Sequence, residues 1–129
     1  MSEVAMSDLP PLGGGPLAAV AIALGATAVL TFLLGYRAGK ERIAPNAAFG
    51  IRTKRTLENE RAWYHVHRSA APWLTVSAGL LLAGAVAPFF LGTGAAQFTA
   101  IMVGCVLYAG VLCTGAIRAH RTISSTAPE

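Results

Sequence analysis

Charged side chains are scarce in this sequence. They make up 12% of the 129 residues, whereas 54% are hydrophobic, and the mean hydropathy is +0.56. A soluble domain normally carries about 25% charged residues, so this composition indicates a membrane protein. From Ser69 to Ile117 the chain contains no Asp, Glu, Lys, Arg or His. That run excludes an ordinary soluble core and is long enough for two spanning helices of about twenty residues each.

Residues with reactive side chains are also few. Cys105 and Cys113 are the only cysteines, and on one helix they lie roughly 12 Å apart, too far for a disulfide. His65 and His67 are two residues apart and therefore face different directions on a helix. The apolar segments hold no carboxylate pair, and no nucleophile is spaced to meet a base. We therefore expect no enzyme activity, no catalytic residue, no metal site and no cofactor.

Three apolar segments predict an all-α fold with three transmembrane helices, at residues 16–36, 70–92 and 95–117. Residues 1–15 are expected to form a flexible tail outside the cytoplasm, and residues 118–129 a cytoplasmic tail. Pro88 is expected to kink the second helix. Small residues that recur every four positions favour close helix packing: Ala19, Ala23, Thr27, Thr31 and Gly35 in the first helix, and Ala96, Ala100 and Gly104 in the third. A polar transport path along Thr27 and Thr31 is the alternative to packing.

The loop at residues 37–69 carries most of the charge. It has eight basic residues and three acidic ones, whereas the N-terminal tail has Glu3 and Asp8 and no basic side chain. The positive-inside rule therefore places this loop and the C-terminus in the cytoplasm and the N-terminus outside. Because orientation explains these basic residues, their charge does not call for a nucleic-acid partner.

The second half of this loop predicts a short amphipathic helix at about residues 57–69. Thr56 is a suitable N-cap, and one face of the helix carries Asn59, Trp63 and His67. We expect the helix to lie at the cytoplasmic membrane interface, with Trp63 at headgroup depth and the cations near anionic lipid, before the chain turns into the membrane at Pro72. Trp63 then serves either as an anchor or as part of a ligand site.

One stretch of the loop has a specific pattern. The segment PNAAFGIRT at residues 45–53 is followed by Thr56, by a tryptophan and by the pair His67-Arg68. This order resembles the SdpI family of bacterial membrane proteins in its short three-helix form, which has an N-x-x-x-G-x-R-T stretch, a later tryptophan and an N-R pair. His67 replaces the usual Asn, and Ala71 the usual Gly. The candidate binding residues are Asn46, Gly50, Arg52, Thr53, Asn59, Trp63, His67 and Arg68.

These residue types suit two kinds of role. Gly50 permits a backbone conformation or a close approach that a side chain would block. Arg52 and Thr53 together offer a planar donor fork and a hydroxyl, which suit a phosphate, a carboxylate or the carbonyls at a helix end. Arg52 therefore has two possible roles. It binds a lipid headgroup or a partner, or it joins the loop to helix ends within the protein.

The resemblance implies a protein of the bacterial cytoplasmic membrane that confers resistance to, or senses, a membrane-active peptide toxin. The alternative is an accessory or assembly subunit of a larger membrane complex, because the small-residue faces exceed what three helices need among themselves. The expected partners are membrane lipids and either a peptide toxin or such a complex.

Overall fold

A computed structural model describes residues 9–46 and 50–122, and within these ranges the protein is helical without strands. Four α-helices follow one another: α1 (Gly14–Gly39), α2 (Lys54–Glu58), α3 (Glu60–Val86) and α4 (Gly94–Arg121). A 3₁₀ turn at Ala87–Phe90 extends α3. The predicted all-α class is confirmed.

The three long helices form the frame of the protein. The segments Gly14–Gly39, Glu60–Phe90 and Gly94–Arg121 are each long and apolar enough to cross a membrane. Helix α3 is central, since it packs against both α1 and α4. All charged side chains of the described residues lie in residues 37–68 and 118–121, at one end of this bundle. We call this end the basic end.

The short helix predicted at residues 57–69 is not a separate element. Helix α3 runs without interruption from Glu60 through Pro72 to Val86, and a different short helix, α2, precedes it. The cap of α3 is Asn59 rather than Thr56, because the Asn59 side chain accepts bonds from the amides of Arg61 at 2.9 Å and Ala62 at 3.2 Å. Pro72 is tolerated because the residues around it pack against both neighbouring helices, which outweighs the lost hydrogen bond.

At the other end of the bundle, a buried glutamine joins the N-terminal segment to the α3–α4 turn. The hydropathy of the sequence does not predict this role. Pro88 lies in the 3₁₀ turn after α3 rather than inside the helix. The buried Gln97 donates to the Pro88 carbonyl at 3.1 Å and accepts from the Leu12 amide at 2.7 Å. The amide of Gly94 also donates to the carbonyl of Leu9 at 3.1 Å. Residues 9–13 of the predicted tail are therefore fixed to the α3–α4 turn, and residues 1–8 lie outside the described residues.

Small residues bring the helices together at two places. An added Cβ at Gly84 would lie 2.9 Å from the Gly104 Cα, so α3 and α4 touch backbone to backbone. A Cβ at Gly35 would lie 3.0 Å from Leu74, where α1 meets α3. Thr31 is buried and its hydroxyl lies 2.9 Å from that of Tyr108 on α4. The rest of the α1 ridge is exposed: Ala19, Ala23 and Thr27.

Candidate functional site

The residues of the loop pattern meet α3 at the basic end of the bundle. Gly50, Ile51, Thr56, Trp63 and His67 lie together there, and we call these five residues the motif cluster. Trp63, Thr56 and His67 are 0%, 0% and 1% exposed, although all three come from a segment rich in charge. The pattern therefore includes a buried polar core as well as surface residues.

His67 joins Ile51 of the loop to α3. The Ile51 amide donates to its Nε2 at 2.9 Å, so Nε2 is an acceptor. Its Nδ1 lies 2.7 Å from the Trp63 carbonyl, to which it donates. These two bonds define a neutral ring with the proton on Nδ1. The histidine that replaces the usual asparagine thus makes specific hydrogen bonds with both of its ring nitrogens.

Trp63 is buried inside the protein, so its ring is not exposed to lipid. Its Nε1 donates to the Ile43 carbonyl at 2.8 Å, and its ring stacks on His67 with centroids 4.2 Å apart. The ring therefore contacts other parts of the protein, and the depth of Trp63 in the membrane stays a prediction. Ile43 and Gly50 of the loop lie against this tryptophan, and the Ile43 carbonyl satisfies the indole N–H.

Gly50 allows the loop to pass directly over the two rings. Its φ is +106°, a value that side-chain-bearing residues rarely adopt. A Cβ at this position would lie 2.5 Å from the His67 Nε2 and 3.2 Å from the Trp63 Cη2. The sequence-based expectation of an unusual backbone conformation and a close approach at Gly50 is confirmed.

Two threonines connect the loop to α4. The Thr56 hydroxyl donates to the Ile51 carbonyl and accepts from the Thr53 amide, at 2.9 and 2.8 Å. The Thr53 side chain caps α2, and its hydroxyl lies 2.9 Å from the Nε2 of His120. His120 was expected in a solvated tail, but it lies in α4, which continues to Arg121.

A second contact at this end joins α3 to α4. His65 Nε2 lies 2.6 Å from the hydroxyl of Thr122. Trp73 packs on Gly115, and the guanidinium of Arg118 lies 5.5 Å from the Trp73 ring centroid. Gly115 and Ala119 are buried and lie four residues apart on α4. Two small residues at this spacing are the feature of the sequence that indicates a helix longer than the apolar segment.

The remaining candidate residues surround the motif cluster at the surface. Asn46 donates to the Ala44 carbonyl at 2.9 Å, and Asn59 caps α3. Arg68 pairs with Glu41 at 2.8 Å, with both side chains about half exposed. Arg52 is exposed beside the half-buried Thr53, and its binding of an anion stays a prediction.

The interactions that the structure shows at this site are hydrogen bonds within the protein. Among residues 9–46 and 50–122 no buried side-chain nitrogen or oxygen lacks a hydrogen-bond partner. The same residues contain no group of three or more His, Cys, Asp or Glu arranged to hold a metal ion. The bonds of the motif cluster are made within the protein, which therefore braces the loop against α3 and, through Thr53, against α4.

Comparison with known families identifies the same region. A family model described as the SdpI/YfhL protein family matches residues 42–115, more than half of the chain. The match begins beside Ile43, includes the motif cluster and all of α3, and ends within α4. Comparisons with curated proteins and with solved structures found no match.

Proposed function

The chain belongs to the SdpI/YfhL protein family, and from this premise we propose that it confers resistance to, or senses, a membrane-active peptide toxin. The observation that supports this function most is the motif cluster, which joins the loop to two of the three apolar helices. A peptide that binds those helices within the bilayer can thereby affect the loop outside it. The proposal includes no catalytic step, cofactor or nucleic acid.

The proposed location is the bacterial cytoplasmic membrane, with the basic end in the cytoplasm and the N-terminus outside. The charge distribution supports this orientation, because every charged side chain of the described residues lies at the basic end. At the opposite end, residues 9–13 and the α3–α4 turn carry no charge. A toxin that arrives from outside would meet this end of the bundle first.

The proposed mechanism starts at the exposed apolar surfaces of α1 and α4. Val106 and Leu107 are among the large apolar side chains of α4 that face outward, and they offer contacts to a peptide in the membrane. A shift of α4 would act on the bond between His120 and Thr53 and so on the N-cap of α2. The exposed Arg52 next to Thr53 would then change its position toward a cytoplasmic regulator.

The direct experiment is survival of a toxin-sensitive bacterial host that expresses the protein, measured against a panel of membrane-active peptides. Wild type should raise survival against at least one peptide. Arg52→Gln should lose this protection, whereas Arg61→Gln, which removes an exposed cation at the same end outside the pattern, should keep it. Membrane content of each variant is measured by immunoblot. Unchanged survival across the panel, with wild type present in the membrane, would contradict the proposal.

The orientation has its own test. Lys54→Cys in a variant whose natural cysteines are replaced by serine should react with a membrane-impermeant maleimide only after the cells are opened. Labelling of this position in intact cells would place the basic end outside and rule out the cytoplasmic signalling mechanism.

A second candidate function is that of an accessory or assembly subunit. It is favoured by the α1 ridge, in which Ala19, Ala23 and Thr27 are exposed whereas Thr31 and Gly35 are buried. Small exposed side chains allow another membrane helix to approach closely. Purification in a mild detergent discriminates between the two functions: a stoichiometric large partner supports the subunit, and a lone monomer or homo-oligomer contradicts it.

A further inference from the structure

A cleft runs along α1 where the chain leaves the helix at the basic end. Its volume is about 470 Å³, and it lies between the last three turns of α1 and the segment at residues 42–46. Its apolar lining includes Leu30, Leu33, Leu34 and Ile43. Leu30 and Leu33 are 67% and 48% exposed, so the cleft opens toward the surroundings of the bundle and not into its core.

Two arginines also line this cleft, and the backbone holds them close together. Glu41 has a φ of +55° and reverses the chain direction after α1. The Arg42 amide then donates to the Arg37 carbonyl at 2.9 Å. As a result, Arg37 and Arg42 both line the cleft, together with Asn46.

The charge of these arginines is not neutralised by an acidic side chain within the described residues. No Asp or Glu lines the cleft. Glu41, the nearest acidic residue in sequence, pairs with Arg68 instead. No ion pair joins Arg37 or Arg42 to any described residue. The cleft therefore presents two cations to a ligand from outside the chain.

The dimensions suit a phospholipid. Leu30 and Arg37 are separated by two turns, which is roughly 10 Å along the helix. The apolar part of the cleft thus extends about that far from the cations toward the middle of the membrane. Guanidinium groups bind phosphate oxygens through paired hydrogen bonds, and exposed leucines at this depth accommodate an acyl chain.

We propose that this cleft binds one anionic phospholipid, with its phosphate on Arg37 and Arg42 and an acyl chain along Leu30, Leu33 and Leu34. A phospholipid matches both parts of the cleft, whereas an acidic peptide would match the arginines and leave the leucine surface to be covered by something else. Arg37 and Arg42 take no part in the proposed toxin mechanism, so the lipid proposal and the toxin proposal are tested separately.

Native mass spectrometry of the full chain, released from micelles that contain equal amounts of phosphatidylglycerol and phosphatidylcholine, tests this site. Wild type should retain phosphatidylglycerol with roughly a tenfold preference, since each basic residue near the headgroups adds to the attraction of an anionic lipid. The Arg37→Gln/Arg42→Gln double variant should lose that preference, and the single Arg42→Gln variant should show part of the loss.

Matched controls separate this site from general charge and general lipid contact. The Lys54→Gln/Arg61→Gln variant removes two exposed cations of the same end that do not line the cleft, and it should keep the preference. Leu33→Trp should reduce retention of the lipid several-fold by filling the cleft, whereas Val76→Trp, at an exposed position of α3 outside the cleft, should not. Circular dichroism verifies that every variant is folded.

Three results would overturn the proposal. The first is equal retention of the two lipids by wild type. The second is an equal loss of preference in the cleft and control double variants, which would assign the effect to overall charge. The third comes from the same measurement with an acidic peptide added to the micelles. Retention of the peptide with no retained lipid would assign the cleft to a protein ligand.

Discussion

Replacing Gly50 by alanine introduces one methyl group at the most crowded position of the motif cluster. The backbone there has a φ of +106°, which costs a residue with a Cβ about 1 to 3 kcal/mol. The new methyl would also lie 2.5 Å from the His67 Nε2, so the ring would have to retreat by about 1 Å to reach an ordinary contact distance. Overpacking of this kind costs about 1 to 3 kcal/mol. We expect a total destabilisation of about 3 kcal/mol.

The assay is the free energy of unfolding in dodecylmaltoside micelles, titrated with sodium dodecyl sulfate and followed by tryptophan fluorescence. Gly92→Ala is the matched control, because nothing lies within 4 Å of a Cβ at Gly92, and it should change the free energy by less than about 0.5 kcal/mol. A Gly50→Ala variant as stable as this control would refute the reasoning.

A double-mutant cycle isolates the contact with the ring. His67→Ala removes the imidazole that the new methyl would meet, so Gly50→Ala in that background should cost only the backbone term and the weaker contact with Trp63 at 3.2 Å. The coupling between the two substitutions should therefore be about 1 to 3 kcal/mol. Equal costs of Gly50→Ala in both backgrounds would show that the alanine methyl does not meet His67.

Three further substitutions test the helix ends, the helix contact and the surface charges in the same unfolding assay. Asn59→Ala removes the cap of α3 and should cost about 1 kcal/mol, with Asn59→Asp retaining most of the stability; equal losses in both variants would contradict the capping role. Gly104→Leu places a large side chain at the backbone contact of α3 and α4 and should cost about 3 kcal/mol or more. Its control is Gly110→Leu, which lies in open space and should cost less than about 1 kcal/mol. Similar costs for the two variants would argue against the close contact. Arg68→Gln breaks an exposed ion pair and should cost less than about 1 kcal/mol; a loss above 2 kcal/mol would show that the pair is shielded from water.

Hydropathy and charge were sufficient to predict the three long helices because those signals are local. An uncharged run from Ser69 to Ile117 can satisfy its surroundings only in a bilayer or a very large core. Gly50 was also predictable, since glycine within a specific pattern of larger residues indicates a backbone requirement. These signals therefore predict the three long helices and the close approach of the backbone at Gly50.

The environment of Trp63 could not be predicted in the same way. A helix face that carries tryptophan among charged residues looks identical in sequence whether a membrane interface or a folded loop covers it. The distinction depends on the Ile43 carbonyl, which reaches the indole N–H from a distant part of the chain. The helix start raised a related difficulty: Thr56 and Asn59 are both good caps, and only the packing of the loop decides between them.

Lone polar residues gave the weakest signal. Gln97 and His120 belong to no motif. The Leu12 amide and the Pro88 carbonyl explain Gln97, and the Thr53 hydroxyl explains His120. Such bonds follow from the assembled fold and leave no periodic pattern in the sequence.

The central claim is that the motif cluster is a buried brace and not a surface that faces lipid. Fluorescence quenching of Trp63 in a Trp73→Phe variant, reconstituted in vesicles, tests it most directly. We predict blue-shifted emission with little quenching either by acrylamide or by lipids brominated near the headgroup, because Trp63 is 0% exposed. Strong quenching by the brominated lipid would place the ring at the membrane interface and contradict this account.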